Sequence, residues 1–279
     1  MKFDITHPDV RRAVEIALEE DVRTGDVTTD STIPADLQAE GHFVAKQDMT
    51  LAGVELLSLL FNNVTLKHAS GDRLKSGDEI AVVRGPARLL LTRERVALNF
   101  LQRLSGVGTL AAKYVAAVEG TGTQILDTRK TTPGWRRFEK YAVTCGGGRN
   151  HRIGLFDMVL IKDNHLAALR DAQPNAIVAA VRRAREKFPQ LKIEVEADTL
   201  EQAEQAAVAG ADIILLDNMN PVQLRLAVQK VKGRAKTEAS GGVNLAGVQT
   251  IAKTGVDFIS IGALTHSARA VDVGLDFEE

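Results

Sequence analysis

Six short apolar runs in the second half of the chain each end in residues that can do chemistry. Residues 124–128 (QILDT) run into Thr128, Arg129, Lys130 and Thr131. Residues 158–162 (MVLIK) end at Lys162, followed by Asp163, Asn164 and His165. Residues 192–197 (KIEVEA) carry Glu194 and Glu196, and 213–217 (IILLD) end at Asp217 and Asn218. Residues 236–240 (KTEAS) run into Ser240, Gly241 and Gly242, and 258–262 (FISIG) into Gly262 and Ala263. One charged residue at a strand end is ordinary solvation of a rim. Six such ends in series describe a ligand site, because parallel α/β architectures bind ligands at the carboxyl ends of their strands.

Charge narrows the ligand. Between Asp127 and Arg152 stand Arg129, Lys130, Arg136, Arg137, Lys140, Arg149 and Arg152, against only Asp127 and Glu139. That is a local excess of +5 in a chain whose net charge is −1. Arg136, Arg137 and Lys140 have the spacing of a solvated helix face. Arg129, Lys130 and Arg152 lie in non-helical segments beside three glycines and His151, and suit a ligand with several negative charges. Arginine forks match planar carboxylates, and lysine serves phosphate as a point charge. Glu196 and Asp217 end neighbouring strands, and such a pair can hold Mg²⁺ or bond sugar hydroxyls. Glu194 and Glu196 share a strand face, so parity does not choose between them; Glu196 lies nearer the strand end. Ser240-Gly241-Gly242 and Gly262-Ala263 match the backbone phosphate sites of many barrels, although a lone Gly-Gly also fits a plain turn. His165 is a weaker candidate than His151, and histidines 7, 42, 68 and 266 have no metal-ligand spacing.

The elements that must position these residues follow from periodicity. Strand starts at 192, 213, 236 and 258 are 21, 23 and 22 residues apart. Between them lie helices opened by Asp198 or Thr199, by Asn220-Pro221 and by Asn244, and closed by Gly210, Gly233 and Gly255. Such strand–helix alternation predicts right-handed βα units in a parallel sheet, either a barrel or a doubly wound sheet, and the even spacing favours the barrel. The first hundred residues read as α+β. Strands are expected at 41–51, 53–54, 79–83 and 88–91, and helices at 3–21 and 55–61. A further helix opens at Thr92 and carries Val96, Phe100, Leu101 and Leu104. Gly106 and Gly108 interrupt that stripe, which places a domain boundary near 105–110.

Composition excludes several classes. At 279 residues the chain fits two domains or one barrel, and buries about 75% of its unfolded surface without staples. Its single cysteine, Cys145, excludes an internal disulfide and a cysteine-cluster metal site. Aromatic residues are only 4%, too few for a nucleic-acid stacking platform. No stretch is apolar enough for a membrane span, and no targeting segment is apparent, so the cytoplasm is the expected compartment.

The stretch DTRKTTPGWRRFEKYAV, then CGGGRNHRIGLFDMVLIKDNH, EVEA, LLDN, ASGGV and GVDFISIGALTHS, with an early EDVRTGDVTTD, resembles the quinolinate phosphoribosyltransferases. The likeness runs through nearly the whole chain, with no departure at the site positions. It implies an N-terminal α/β sandwich (1–107, joined by the tail 267–279) and an incomplete, seven-stranded TIM-like α/β barrel (108–266). It implies transfer of phosphoribose from phosphoribosyl pyrophosphate to quinolinate, giving nicotinate mononucleotide, pyrophosphate and CO₂ with Mg²⁺, in NAD biosynthesis. Arg129, His151 and Arg152 would hold the quinolinate carboxylates, with Lys130 and Lys162 facing substrate anions. Glu196 and Asp217 would serve the ribose and the metal. Ser240, Gly241, Gly242, Gly262 and Ala263 would cradle the 5′-phosphate. Arg95 would reach the pocket of the partner in a homodimer. Two other readings are a Schiff-base barrel lyase using Lys162 and a divergent relative of the molybdate-operon type. Neither a nucleic acid nor a membrane is an expected partner.

Overall fold

The computed structural model describes residues 3–277, which form two compact units. The first comprises residues up to Ala112, Lys130–Gly148 and the chain from Leu264 on; the second comprises Lys113–Arg129 and Arg149–Ala263. The strands, in chain order, are β1 (Gln38–Ala45), β2 (Met49–Thr50), β3 (Val64–Leu66), β4 (Arg73–Leu74) and β5 (Glu79–Pro86). There follow β6 (Gln124–Leu126), β7 (Val159–Ile161), β8 (Ile193–Ala197), β9 (Ile213–Asp217), β10 (Lys236–Ser240), β11 (Phe258–Ser260) and β12 (Val273–Phe277).

In the first unit, β12, β1, β5 and β3 form an antiparallel sheet in that order, beside the small β2–β4 ribbon. Gly41, Phe43 and Ala45 of β1 are buried while His42 and Val44 between them are less so, which is the period of two expected of a strand with one packed face. Phe43 meets Phe61 at 5.9 Å between ring centroids. The expected strand at 88–91 and the expected helix start at Thr92 are both corrected: one helix runs Ala87–Ala117. Gly106 and Gly108 do not break it. A Cβ on Gly106 would lie 2.1 Å from the Arg269 carbonyl oxygen, and one on Gly146 would lie 2.3 Å from that of Gly108. These glycines allow close backbone approach rather than a stop. Residues 53–54 are likewise not a strand; Gly53 has φ +87° and opens a single 3₁₀ turn.

The boundary expected after residue 107 falls inside this helix, and residues 130–148, expected with the barrel, group with the first unit. Their helix, Arg136–Cys145, buries Phe138 beside Phe3, Phe100 and Trp135. Trp135 stacks on buried Phe100 at 4.9 Å. Buried Glu139 accepts hydrogen bonds from Arg103 Nη2 at 2.7 Å and from the Thr132 amide and hydroxyl at 3.0 and 2.8 Å.

In the second unit, six parallel strands run in the order β6, β11, β10, β9, β8, β7. A single parallel bridge, Leu126 with Arg149, is the remnant of a seventh. The ladder therefore turns from Arg149 through β6 and β11 round to β7, with no pairing among the described residues between Arg149 and β7. Two of the expected helix starts hold, and the third is corrected: the helix expected to open at Asn244 runs Val248–Ala252, with Gly247 before it and no side-chain cap. Thr199 and Asn220 each close a capping box, with Gln202 and Gln223 respectively, and Asn175 caps Ala176–Lys187. No helix is long and apolar enough to cross a membrane.

Candidate active site

Asp127, directly after β6, is fully buried and accepts hydrogen bonds from the His151 amide at 2.9 Å and from Asn150 Nδ2 at 2.6 Å. These bonds pin residues 149–152 to the carboxyl end of the first barrel strand. His151 Nδ1 accepts the Arg152 amide at 2.8 Å, so the ring proton sits on Nε2. Nε2 lies 2.9 Å from Glu194 Oε2 and 3.5 Å from Glu238 Oε2, and both glutamates are fully buried. Burial favours the neutral imidazole, whereas hydrogen bonding to Glu194 and Glu238 opposes it and raises the ring's pKa. A second proton on Nδ1 would nevertheless displace the Arg152 amide. Glu194 is raised above the usual carboxylate range, first by burial and then by the charge of Glu238.

Arg152 is partly buried, and its Nη1 donates to the Met158 carbonyl at 3.3 Å. Burial, and then the positive charge of Arg129, hold its guanidinium below its ordinary value. Arg129 and Arg152 thus bring two cationic forks into one neighbourhood. Such a pair is repulsive when empty and complementary to a planar dicarboxylate.

On the next strands, Lys162 Nζ stands 3.8 Å from Glu196 Oε2. Glu196 is raised, chiefly by burial and also by the like charge of Asp217, while Lys162 opposes the shift. His165 turns its Nδ1 to the Lys162 amide at 2.9 Å, a helix-capping contact. Asp217 Oδ2 accepts from Asn218 Nδ2 at 2.6 Å, and the Asn218 amide donates to the Ser240 carbonyl at 3.0 Å. Asn218 itself has φ +53°, and Gly241, facing it, has φ +98°. A Cβ on Gly241 would lie 2.1 Å from Asn218 Oδ1 and 2.9 Å from its amide nitrogen. Gly241 is therefore required both by conformation and by space, whereas Gly242, at φ +57°, has open space around it.

The second unit therefore holds Arg129, His151, Arg152, Lys162, Glu196, Asp217, Ser240, Gly241, Gly242, Gly262 and Ala263 on the carboxyl ends of its strands or the loops that follow. Lys130 and Arg95 belong to the first unit. The Lys130 carbonyl accepts from Thr265 Oγ1 at 2.6 Å, and Arg95 is exposed on helix Ala87–Ala117. Sequence reasoning missed Asp127, Asn150 and Glu238 and left Glu194 open. The available signal was a carboxylate in mid-strand at the parity of a site residue: Glu238 precedes Ser240 by two.

Comparison with known proteins identifies the family. Residues 107–276 match the model of the quinolinate phosphoribosyl transferase C-terminal domain, and residues 26–105 that of the N-terminal domain. The nicotinate-nucleotide pyrophosphorylase [carboxylating] of Mycobacterium leprae is 42% identical over 287 residues, covering 99% of this chain and 98% of that protein. The probable enzyme of the same name from Bacillus subtilis is also 42% identical, covering 98% of this chain and 94% of that protein. The crystal structure of NadC from Streptococcus pyogenes superposes with a TM-score of 0.92 at 39% identity, covering both chains fully. The nicotinate-nucleotide pyrophosphorylase of Francisella tularensis gives 0.91 at 37% identity, covering 98% of each chain. With family models over both halves and relatives aligned along its full length, this chain belongs to the quinolinate phosphoribosyltransferase family.

Proposed function

We propose that the chain transfers phosphoribose from phosphoribosyl pyrophosphate to quinolinate with loss of CO₂, giving nicotinate mononucleotide in NAD biosynthesis. The observation that carries this reading is the Arg129–Arg152 pair at the ends of the barrel strands, where burial and then the charge of Arg129 hold Arg152 below its ordinary value. Quinolinate brings two carboxylates on adjacent ring carbons; nicotinate brings one. A pocket with two desolvated forks rejects the acid that leaves one unpaired. Arg129, His151 and Arg152 orient the pyridine so that its nitrogen attacks ribose C1 while the bond from C1 to pyrophosphate breaks. Glu196 and Asp217 oppose the positive charge that develops on the sugar, directly or through its hydroxyls. Lys162 and Lys130 face substrate anions. N-alkylation makes the ring an electron sink, the C2 carboxylate leaves as CO₂, and C2 takes a proton.

Glu196 and Asp217 also suit Mg²⁺: their like charges act on one another, and Mg²⁺ prefers one or two carboxylates plus phosphate oxygens. When bound, it supplies charge neutralisation on the departing pyrophosphate. Ser240, Gly241, Gly242, Gly262 and Ala263 serve the 5′-phosphate. The working form is a cytoplasmic homodimer in which Arg95 enters the partner's pocket. The Schiff-base reading is disfavoured by the ion pair of Lys162 with Glu196, since a nucleophilic lysine needs an apolar or cationic setting.

The test is incubation with quinolinate, phosphoribosyl pyrophosphate and Mg²⁺, following CO₂ and nicotinate mononucleotide. Turnover of quinolinate, negligible turnover of nicotinate and loss of quinolinate binding in Arg152→Ala are expected. Comparable kcat/KM for the two acids would overturn the role of the arginine pair. No product at all would identify a divergent relative.

A further inference from the structure

We propose that Glu194 and Glu238 are the internal counter-charge of the dicarboxylate pocket, positioning residues that act through His151 and Arg152 and set the pocket's affinity for a doubly charged acid. The proposal rests on the quinolinate reading of the site. Glu238 lies on β10 opposite Leu215 of β9, and Glu196 lies opposite the same Leu215 from β8. Glu194 precedes Glu196 by two and shares its face. Glu238 therefore lies two residues below the pair of Asp217 and Ser240, and Glu194, opposite Ile213, two residues deeper again.

Both side chains are fully buried, and all four of their carboxylate oxygens lack a hydrogen-bond partner other than the approach of the imidazole at 2.9 and 3.5 Å. One N–H does not balance two carboxylates in a dry interior. The remaining compensation comes from above. The charge of Glu194 acts on Arg152, against the repulsion that Arg152 receives from Arg129. The Arg152 amide is in turn bonded to His151, whose far side faces the carboxylates. In the empty pocket this buried negative charge offsets the mutual repulsion of the guanidiniums. When a dicarboxylate arrives it is repelled by the same carboxylates. The pocket's affinity is thereby tempered, and more for a dianion than for a monoanion, because the Coulomb energy scales with ligand charge.

The same three side chains have the composition of a metal site, with ligand atoms all within 4.8 Å of one another. The Nδ1 contact argues otherwise. An imidazole whose Nδ1 accepts an N–H carries its proton on Nε2, and that nitrogen has no lone pair to offer a cation.

The experiment is calorimetric titration of quinolinate, and of phthalate as a plain 1,2-dicarboxylate, into the wild type, Glu238→Gln and Glu194→Gln, without phosphoribosyl pyrophosphate. Glutamine keeps an acceptor for Nε2–H and removes the charge. A purely structural role predicts weaker binding. The counter-charge predicts tighter binding, with Kd for either dicarboxylate falling about threefold or more and that for nicotinate falling less. Metal analysis and a thermal melt accompany each protein. Unchanged or weaker dicarboxylate binding in folded variants overturns the proposal. So does stoichiometric metal in the purified wild type that is lost in Glu238→Gln, and so does failure of both variants to fold. Wild type that binds phthalate and makes no nicotinate mononucleotide would sink the reaction assignment alone. Wild type that turns over quinolinate while neither variant tightens would sink the counter-charge alone.

Discussion

Gly241→Ala and Gly242→Ala differ by one position and should differ widely in cost. Gly242 has φ +57°, the ordinary left-handed region, and an added Cβ meets nothing within 4 Å. Its replacement carries only the conformational penalty, about 1–2 kcal/mol. Gly241 sits at φ +98°, outside that well, and its Cβ would lie 2.9 Å from the Asn218 amide nitrogen, a backbone atom. Strain of about 1–3 kcal/mol is joined by about 2 kcal/mol for forcing Asn218 aside, so roughly 3–5 kcal/mol is expected together. At about 2 °C per kcal/mol, the melting temperature should drop about 6–10 °C for Gly241→Ala and about 2–4 °C for Gly242→Ala. The displacement has a chemical consequence as well. Asn218 holds both the Ser240 carbonyl and the Asp217 carboxylate, so kcat should fall further in Gly241→Ala than the stability loss explains. Melting followed by circular dichroism, with initial rates measured well below the transition, gives both quantities. A Gly241→Ala protein no less stable than Gly242→Ala, with intact kcat, would refute the packing argument and the coupling to Asp217.

Four other outcomes are expected. Asp217→Asn keeps the shape and removes the charge, so kcat should fall by more than quinolinate binding does; an unchanged kcat would remove Asp217 from the chemistry. EDTA should abolish activity and Mg²⁺ should restore it. Arg95→Ala and Lys162→Ala proteins, each nearly inactive, should recover about one-quarter of wild-type activity when unfolded, mixed and refolded, because half of the dimers are mixed and each has one intact site; heterodimers without activity would exclude Arg95 from the partner's pocket. Cys145 has a thiol pushed up to about 11 by burial, so native protein at pH 8 should react slowly with iodoacetamide and urea-unfolded protein quickly. Because the folded value is raised, the stability it contributes is fully present below the unfolded value and is lost as the pH rises through the folded one; denaturation midpoints of wild type and Cys145→Ala from pH 8 to 11 should diverge in that direction.

The barrel was readable because most of its strands are short apolar runs closed by polar residues, and most of the intervening helices carry a cap residue at their start. β9 and β10 were placed to the residue, and Thr199 and Asn220 cap the helices as expected. The first unit was harder. Gly106 and Gly108 carry the residue type of a helix stop, but the reason for them lies in chain segments far away in sequence, at Arg269 and Gly146. Parity could not tell Glu194 from Glu196, since depth within a barrel is not encoded in alternation. The difference is one of setting: Glu196 faces Lys162 and Asp217, whereas Glu194 faces His151 and Glu238. Glu238 escaped notice because a carboxylate in mid-strand reads as solvated until the strand's neighbours on both sides are known.

The pairing of β12 with β1 has a consequence for biosynthesis. Gly41 lies opposite Phe277 in that ladder, so the two partners are separated by nearly the whole chain. At ribosomal rates of about 5–20 residues per second, Gly41 waits on the order of tens of seconds for its neighbour. During that interval β1 can pair with β5 on one side while its other edge presents unpaired amide and carbonyl groups. An open edge of this kind is a template for the wrong strand, including the same strand of another nascent copy. Closing the N-terminal sheet is thus a late event, and any lesion that removes the final strand leaves a sheet able to recruit its neighbours.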